Sequence, residues 1–197
     1  MSGNKAQYKK MSLEELVVLA QHNDFKALEE LLRREQKNIY AAFSYLSSKK
    51  ENVADLTQEA LLRIAKNIQN LKNPKSFKSW LNQIITNLFY DELRKSQRSP
   101  ETVSLDDETE DFPPIKTQIP DLKCKPHEKC VTTELEKIIK NAILNLPDKF
   151  KIVIILRELQ GLSYEEIAQA THSSVGTVKS RIARARGKLQ ENLKAYI

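Results

Sequence analysis

The sequence predicts an all-α fold in two small helical domains, and three observations carry that expectation. Only four glycines occur in 197 residues, too few for a turn-rich sheet protein. Apolar residues recur at spacings of three and four along most of the chain, the period of one helix face. Five of the seven prolines, Pro100, Pro113, Pro114, Pro120 and Pro126, crowd into one segment, where they exclude long helices and separate two helical blocks. The expected division is 1–96, a linker over 97–131, and 132–197, with a core in each block.

The first block reads as four helices. Ser12 and Glu15 form a capping box ahead of a stripe of Leu13, Leu16, Val17 and Ala20. Asp24 is placed to cap a second helix, whose apolar positions Leu28, Leu31, Leu32, Ile39 and Phe43 keep helical spacing until the polar run Ser47–Asn52. The third, from Val53 to Leu71, turns Leu56, Ala60, Ile64 and Ile68 inward and Asp55, Gln58, Glu59 and Arg63 outward. For the fourth, Asn73 is the cap and Pro74 takes the first turn, before Phe77, Trp80, Leu81, Ile84, Ile85 and Leu88. At that spacing Phe77 and Trp80 belong to the core.

The second block opens on Leu135, Ile138, Ile139, Ala142, Ile143 and Leu146, a helical run that Pro147 ends. Asp148–Gln160 is apolar enough to be a buried central helix, and Gly161 is placed to close it in a left-handed cap. Ser163 and Glu166 form a second capping box for a short helix, Tyr164–His172. After a turn comes a helix from Ser173, with Val175, Val178, Ile182, Ala185 and Leu189 on one face and Lys179, Ser180, Arg181, Arg184 and Lys188 on the other. This is a helix-turn-helix pattern, in which the second helix enters the major groove. From Ser173 onward there are six bases and one acid, suited to phosphates and purine edges. A basic amphipathic helix used for protein contacts has the same pattern, so this helix alone leaves both readings open.

Charge is distributed to match. The chain carries +6 overall with a pI near 9.2, yet residues 97–130 hold eight acids against five bases, leaving +9 elsewhere. An acidic linker between two basic domains points to a polyanion partner. The longest aliphatic run, Ile152–Leu156, is too short for a membrane span, and the N-terminus has no apolar stretch of signal-peptide length, so a cytoplasmic protein is expected. Two cysteines make no disulfide framework. Cys124, His127 and Cys130 offer three zinc ligands where structural sites take four; a reversible disulfide and ordinary thiols are the alternatives, and no metal is expected. The histidines, His22, His127 and His172, are scattered, and no catalytic set, cofactor or small-molecule substrate is expected.

Three stretches together resemble the extracytoplasmic-function (group 4) sigma factors of bacterial RNA polymerase. Asp55–Asn67, "DLTQEALLRIAKN", is similar to the family's polymerase-binding helix; Ser76–Lys95, "SFKSWLNQIITNLFYDELRK", to its promoter-melting helix; Leu146–Leu189 to its domain four. The resemblance implies a transcription initiation factor, not an enzyme. It implies that Asp55, Gln58, Glu59 and Arg63 meet the β′ coiled coil of core polymerase and that domain four meets the β flap. It implies that Lys72, Asn73, Lys75 and Ser76 form a loop taking a base flipped from the nontemplate −10 strand, with Asn87 helping to read that element. Contacts to the −35 element fall to Thr177, Lys179, Ser180, Ala183 and Arg184, with Arg181 on the same basic face and Arg157 and Tyr164 at phosphates. An anti-sigma protein is an expected partner, and the acidic linker would run near the RNA exit path. The chain departs from many relatives at Ser173 and Ser174, where an apolar residue and proline are common, and at His172, where a small residue is common. A stand-alone helix-turn-helix regulator is the rival reading, and it leaves the first two stretches unexplained.

Overall fold

Short polar side chains cap the starts of four helices in the computed structural model, which describes residues 5–98 and 126–196. Nine α-helices occur among the described residues. A single turn, α1 (Lys5–Tyr8), precedes α2 (Leu13–Gln21). The α2 capping box is complete, with Glu15 N–H donating to Ser12 Oγ at 3.2 Å and Ser12 N–H to Glu15 Oε2 at 2.7 Å. Asp24 caps α3 (Phe25–Leu46) by accepting from the N–H groups of Lys26 and Ala27. Helix α4 covers Lys50–Asn67, beginning three residues before the expected Val53 and giving way to a tight 3₁₀ turn at Ile68–Asn70. Asn73 caps Pro74–Ser76 as anticipated, but those residues form a separate 3₁₀ turn that feeds α5 (Phe77–Arg98).

In the second half, α6 spans Pro126–Leu144 and so takes in the last residues of the stretch read as linker. Helix α7 (Asp148–Ile154) continues as a π-helical turn over Ile155–Leu159, where one continuous α-helix was expected. Gly161 adopts φ 71°, a left-handed backbone that an L side chain resists. A second complete capping box, Ser163 with Glu166, starts α8 (Tyr164–Ala170). Ser174 Oγ accepts from Thr177 N–H to start α9 (Val175–Leu193).

Leu16, Leu31, Ile39, Phe43, Ile64, Phe77 and Ile85 are almost fully buried in the first half, as are Ile152, Leu156, Ile167, Val178 and Ile182 in the second. Together they form one continuous apolar core, because α5 packs on α8 and α3 packs on α6 and α7. Burying each such side chain favours folding by about 1.5–3 kcal/mol. Phe77 is buried and Trp80 packs half-buried at its side, ring centroids 5.9 Å apart. No helix is long and apolar enough to cross a membrane among the described residues.

Candidate nucleic-acid and partner interfaces

The polar face of α4 stands out because its other face is sealed: Val53, Leu56, Ala60 and Ile64 are buried, while Asp55, Gln58 and Glu59 are exposed and Arg63 is half-exposed. Glu59 and Arg63 form an i,i+4 ion pair at 2.8 Å. Asp55, Glu59 and Arg63 line a polar cleft of about 780 Å³ between α4 and α5, with Asp91 and Glu92 on the far wall. Sequence reasoning missed those two carboxylates; their signal was the acidic pair in "DELRK", on the turn after Asn87 and Leu88. Asn52 donates to Glu92 at 2.8 Å and Arg94 pairs with Asp91 at 3.0 Å, which fixes the wall.

Between α4 and α5, Lys72, Asn73, Lys75 and Ser76 are all exposed. The loop is held by its backbone: Lys75 N–H donates to Asn73 Oδ1 at 3.0 Å, and Gln21 Nε2 donates to the carbonyls of Leu71 at 2.6 Å and Ile68 at 3.1 Å. Asn87 is exposed further along α5, between buried Thr86 and Leu88.

The helix-turn-helix brings three sequence-predicted residues together. The Tyr164 ring lies under the Arg157 guanidinium at 4.8 Å and the Lys179 ammonium at 5.8 Å, a cation–π arrangement that fixes the phenol and keeps both charges at one spot. Arg157 also donates to the Leu162 carbonyl at 2.6 Å. On α9, Lys179, Ser180, Ala183 and Arg184 are exposed and Val178, Ile182 and Ala185 are buried. Thr177 is half-buried, its hydroxyl 2.8 Å from that of Ser174. Arg181 departs from the basic face on which the sequence put it. It is half-buried, donates to Ser173 Oγ at 3.0 Å, and acts electrostatically on Tyr90 of α5. Burial raises the Tyr90 phenol above its ordinary pKa; Arg181 opposes that shift and Asp148 adds to it.

A fourth surface is apolar: a cavity of about 520 Å³ walled by Ile139, Ile143, Ile154, Ile155, Leu159 and Leu189. The ion pair of Arg186 and Glu158, 2.6 Å, stands at its rim, and the hydrogen bond to Glu158 raises the Arg186 pKa. The side chains of Cys124, His127 and Cys130 lie outside the described residues, among which no metal-binding cluster occurs.

These surfaces fall inside two family matches, Sigma-70 region 2 over residues 31–99 and Sigma-70 region 4 over 136–189. The ECF RNA polymerase sigma-E factor of Haemophilus influenzae is 32% identical over 178 residues, covering 90% of this chain and 93% of its own. Its namesake in Escherichia coli K12 is 33% identical over 184 residues, covering 92% and 94%. In a solved structure, the sigma factor RpoE of Bartonella quintana, in complex with the anti-sigma factor NepR, is 29% identical with a TM-score of 0.64, covering 86% of this chain and 98% of its own. Whole-length likeness, with both regions in order on an all-helical fold, has one consequence: the chain belongs to the ECF sigma factors and acts in transcription initiation.

Proposed function

We propose that the chain, a group 4 member acting in the cytoplasm, brings core RNA polymerase to promoters through three separate surfaces and performs no chemistry itself. Residues 1–96 serve as the polymerase-binding and −10-reading domain, 132–197 as the −35-reading domain, with 97–131 between them. Asp55, Gln58, Glu59 and Arg63, joined by Asp91 and Glu92 across the cleft, dock on the β′ coiled coil. Lys72, Asn73, Lys75 and Ser76 receive a flipped nontemplate base, and Asn87 contacts the same element; unstacking costs a few kcal/mol, recovered by contacts to the extruded base. Thr177, Lys179, Ser180, Ala183 and Arg184 meet the −35 element, while Arg157 and Tyr164 hold phosphate. Arg181 reaches DNA only after leaving Ser173 and α5.

The apolar cavity around Ile139 and Leu159 has the size and lining for a partner helix, which suits the β flap. The anti-sigma complex of the Bartonella relative supports an anti-sigma partner here too. The observation that carries the reading is exposure: Asp55, Gln58, Glu59, Lys72, Asn73, Lys75, Ser76, Asn87, Lys179, Ser180, Ala183 and Arg184 all face solvent, on helices whose opposite faces are buried in the core and on the loop joining two of them. The test is gel filtration with bacterial core polymerase, wild type beside a Asp55→Ala, Gln58→Ala, Glu59→Ala variant. Co-elution of the wild type and its loss in the folded variant is the expected result. A wild type that ignores a competent core, yet binds duplex DNA alone in low salt, overturns the reading in favour of a stand-alone regulator.

A further inference from the structure

The corner between α2 and α3 is tied to the Lys72–Ser76 loop. Besides the two bonds from Gln21 to Ile68 and Leu71, Gln69 Nε2 donates to Asn23 Oδ1 at 2.7 Å. Asn23 holds a left-handed backbone at φ 67°, which turns the chain sharply into α3. The next residue, Asp24, accepts from Lys26 and Ala27 N–H and from the Tyr8 hydroxyl at 2.8 Å, so α1 is fastened to the same corner. Those bonds hold its carboxyl below the usual range, the Ala27 N–H foremost.

On this braced corner stands Phe25, 78% exposed, the most exposed large apolar side chain among the described residues. It adds nothing to the core, and the first turn of α3 is already capped by Asp24 without it. Around it, Lys9 and Lys10 follow Tyr8, Lys26 follows Phe25, and Lys72 and Lys75 lie on the attached loop; all five are exposed. Two residues of backbone at about 3.8 Å each separate Phe25 from Asn23, and Asn23 touches Gln69. The ring therefore stands on the corner to which the chain just before the loop is tied, within the span of a few nucleotides of it. An exposed ring among cations is the arrangement by which proteins hold single-stranded nucleic acid, the ring stacking on a base and the ammonium groups meeting phosphates.

We propose that Phe25 is a stacking platform for a second unpaired nontemplate-strand base, beside the base received by the Lys72–Ser76 loop, with Lys9, Lys10 and Lys26 on its phosphates. The inference rests on the −10 reading of that loop, and its test separates the two. Full-length protein is assembled with bacterial core polymerase and given promoter DNA selected by the wild-type holoenzyme from random sequence. The DNA is built as a fork with a duplex −35 part and a single-stranded nontemplate tail carrying 2-aminopurine at successive positions. In wild type, stacking should quench one tail position. Phe25→Ala should abolish that quench and weaken fork binding about tenfold, leaving the thermal melt and the affinity for a duplex −35 fragment unchanged; Phe25→Trp should restore both losses. If Phe25→Ala keeps the quench and the affinity while Asn73→Ala with Lys72→Ala weakens fork binding, the platform is wrong and the loop reading stands. If neither variant changes fork binding, the loop reading falls and the platform with it.

Discussion

Glu30 is 8% exposed and still ionised, because two arginines reach it along one helix: Arg33 at 2.7 and 2.9 Å and Arg34 at 2.9 Å. The bond from Arg33, helped by Arg34, holds its carboxyl down to about 2 against the opposing effect of burial. Arg34 spends its other nitrogens on the carbonyls of Met11 and Tyr8, each at 2.7 Å, so Glu30 positions the residue that anchors the N-terminal segment. Glu30→Gln is expected to cost about 2 kcal/mol at pH 7, the scale of hydrogen bonds to a charged group, read from urea denaturation. The pH dependence has a definite sign. A folded value below the ordinary 4.5 means the stabilisation is complete above pH 4.5 and drains away as pH falls toward 2. The gap between wild type and variant should close over that window, and a gap constant down to pH 2 would rule out the charge. His172 offers the opposite change. Its φ of 49° explains why a small residue suits this turn, and His172→Gly should raise stability by about 0.5–1 kcal/mol, seen as a higher melting temperature.

Helix α8 depends on its start more than on its length. Seven residues are too few to be stable alone, so the Ser163–Glu166 box and packing on α9 and α5 must hold it. Ser163→Ala should cost about 1 kcal/mol, and amide exchange should quicken first in Tyr164–Ala170; uniform quickening across the chain would show that the cap acts on global stability instead. That box was legible in the sequence, as were the one at Ser12, the Asp24 cap, the left-handed Gly161 and the inward stripe of α9, because each is a local pattern with a local cause. The π turn at Ile155–Leu159 was not. Residues 150–156 are buried without interruption, and a segment buried on every side has no face for periodicity to reveal. The 3₁₀ turn at Ile68–Asn70 is likewise fixed from outside, by the bonds from Gln21 to Ile68 and Leu71, whereas the one at Pro74–Ser76 follows from its own Asn73 cap. Among the candidate contacts, helical spacing placed Lys179, Ser180 and Arg184 outward as observed, whereas the turn of Arg181 toward Ser173 and the meeting of Asp91 and Glu92 with Asp55 depend on tertiary packing.

The two halves join through a surface that is apolar in the middle and loosely closed at its edges. Cavities of about 520 Å³ and 450 Å³ lie along it, Tyr45 facing Ile139 and Ile143 in one, Leu46 and Phe89 facing Leu144 and Lys151 in the other. One hydrogen bond crosses it among the described residues, Gln160 Nε2 to the Asn38 carbonyl, and at 3.5 Å it is weak. Where these clefts open, the two faces lack the dispersion contacts that close packing would supply, and we predict that the junction parts when polymerase and promoter bind. Parting is required if the two DNA surfaces act as proposed. Elements centred about 25 base pairs apart are about 85 Å apart along B-DNA at ~3.4 Å per pair, whereas a compact body of the 165 described residues has a radius of gyration of about 15 Å and a diameter of roughly 40 Å. The closed molecule can offer either surface to DNA but not both at once. Between Arg98 and Pro126 run 27 residues, enough chain to reach about 90 Å when extended. Dyes on cysteines introduced at the exposed positions Lys37 and Lys188, with Cys124 and Cys130 replaced by serine, should report a separation below about 45 Å in the free protein and above about 60 Å once polymerase and promoter are bound. A short distance that persists in transcribing complexes would mean that one protein does not span both elements, and that the −35 assignment of α9 is mistaken.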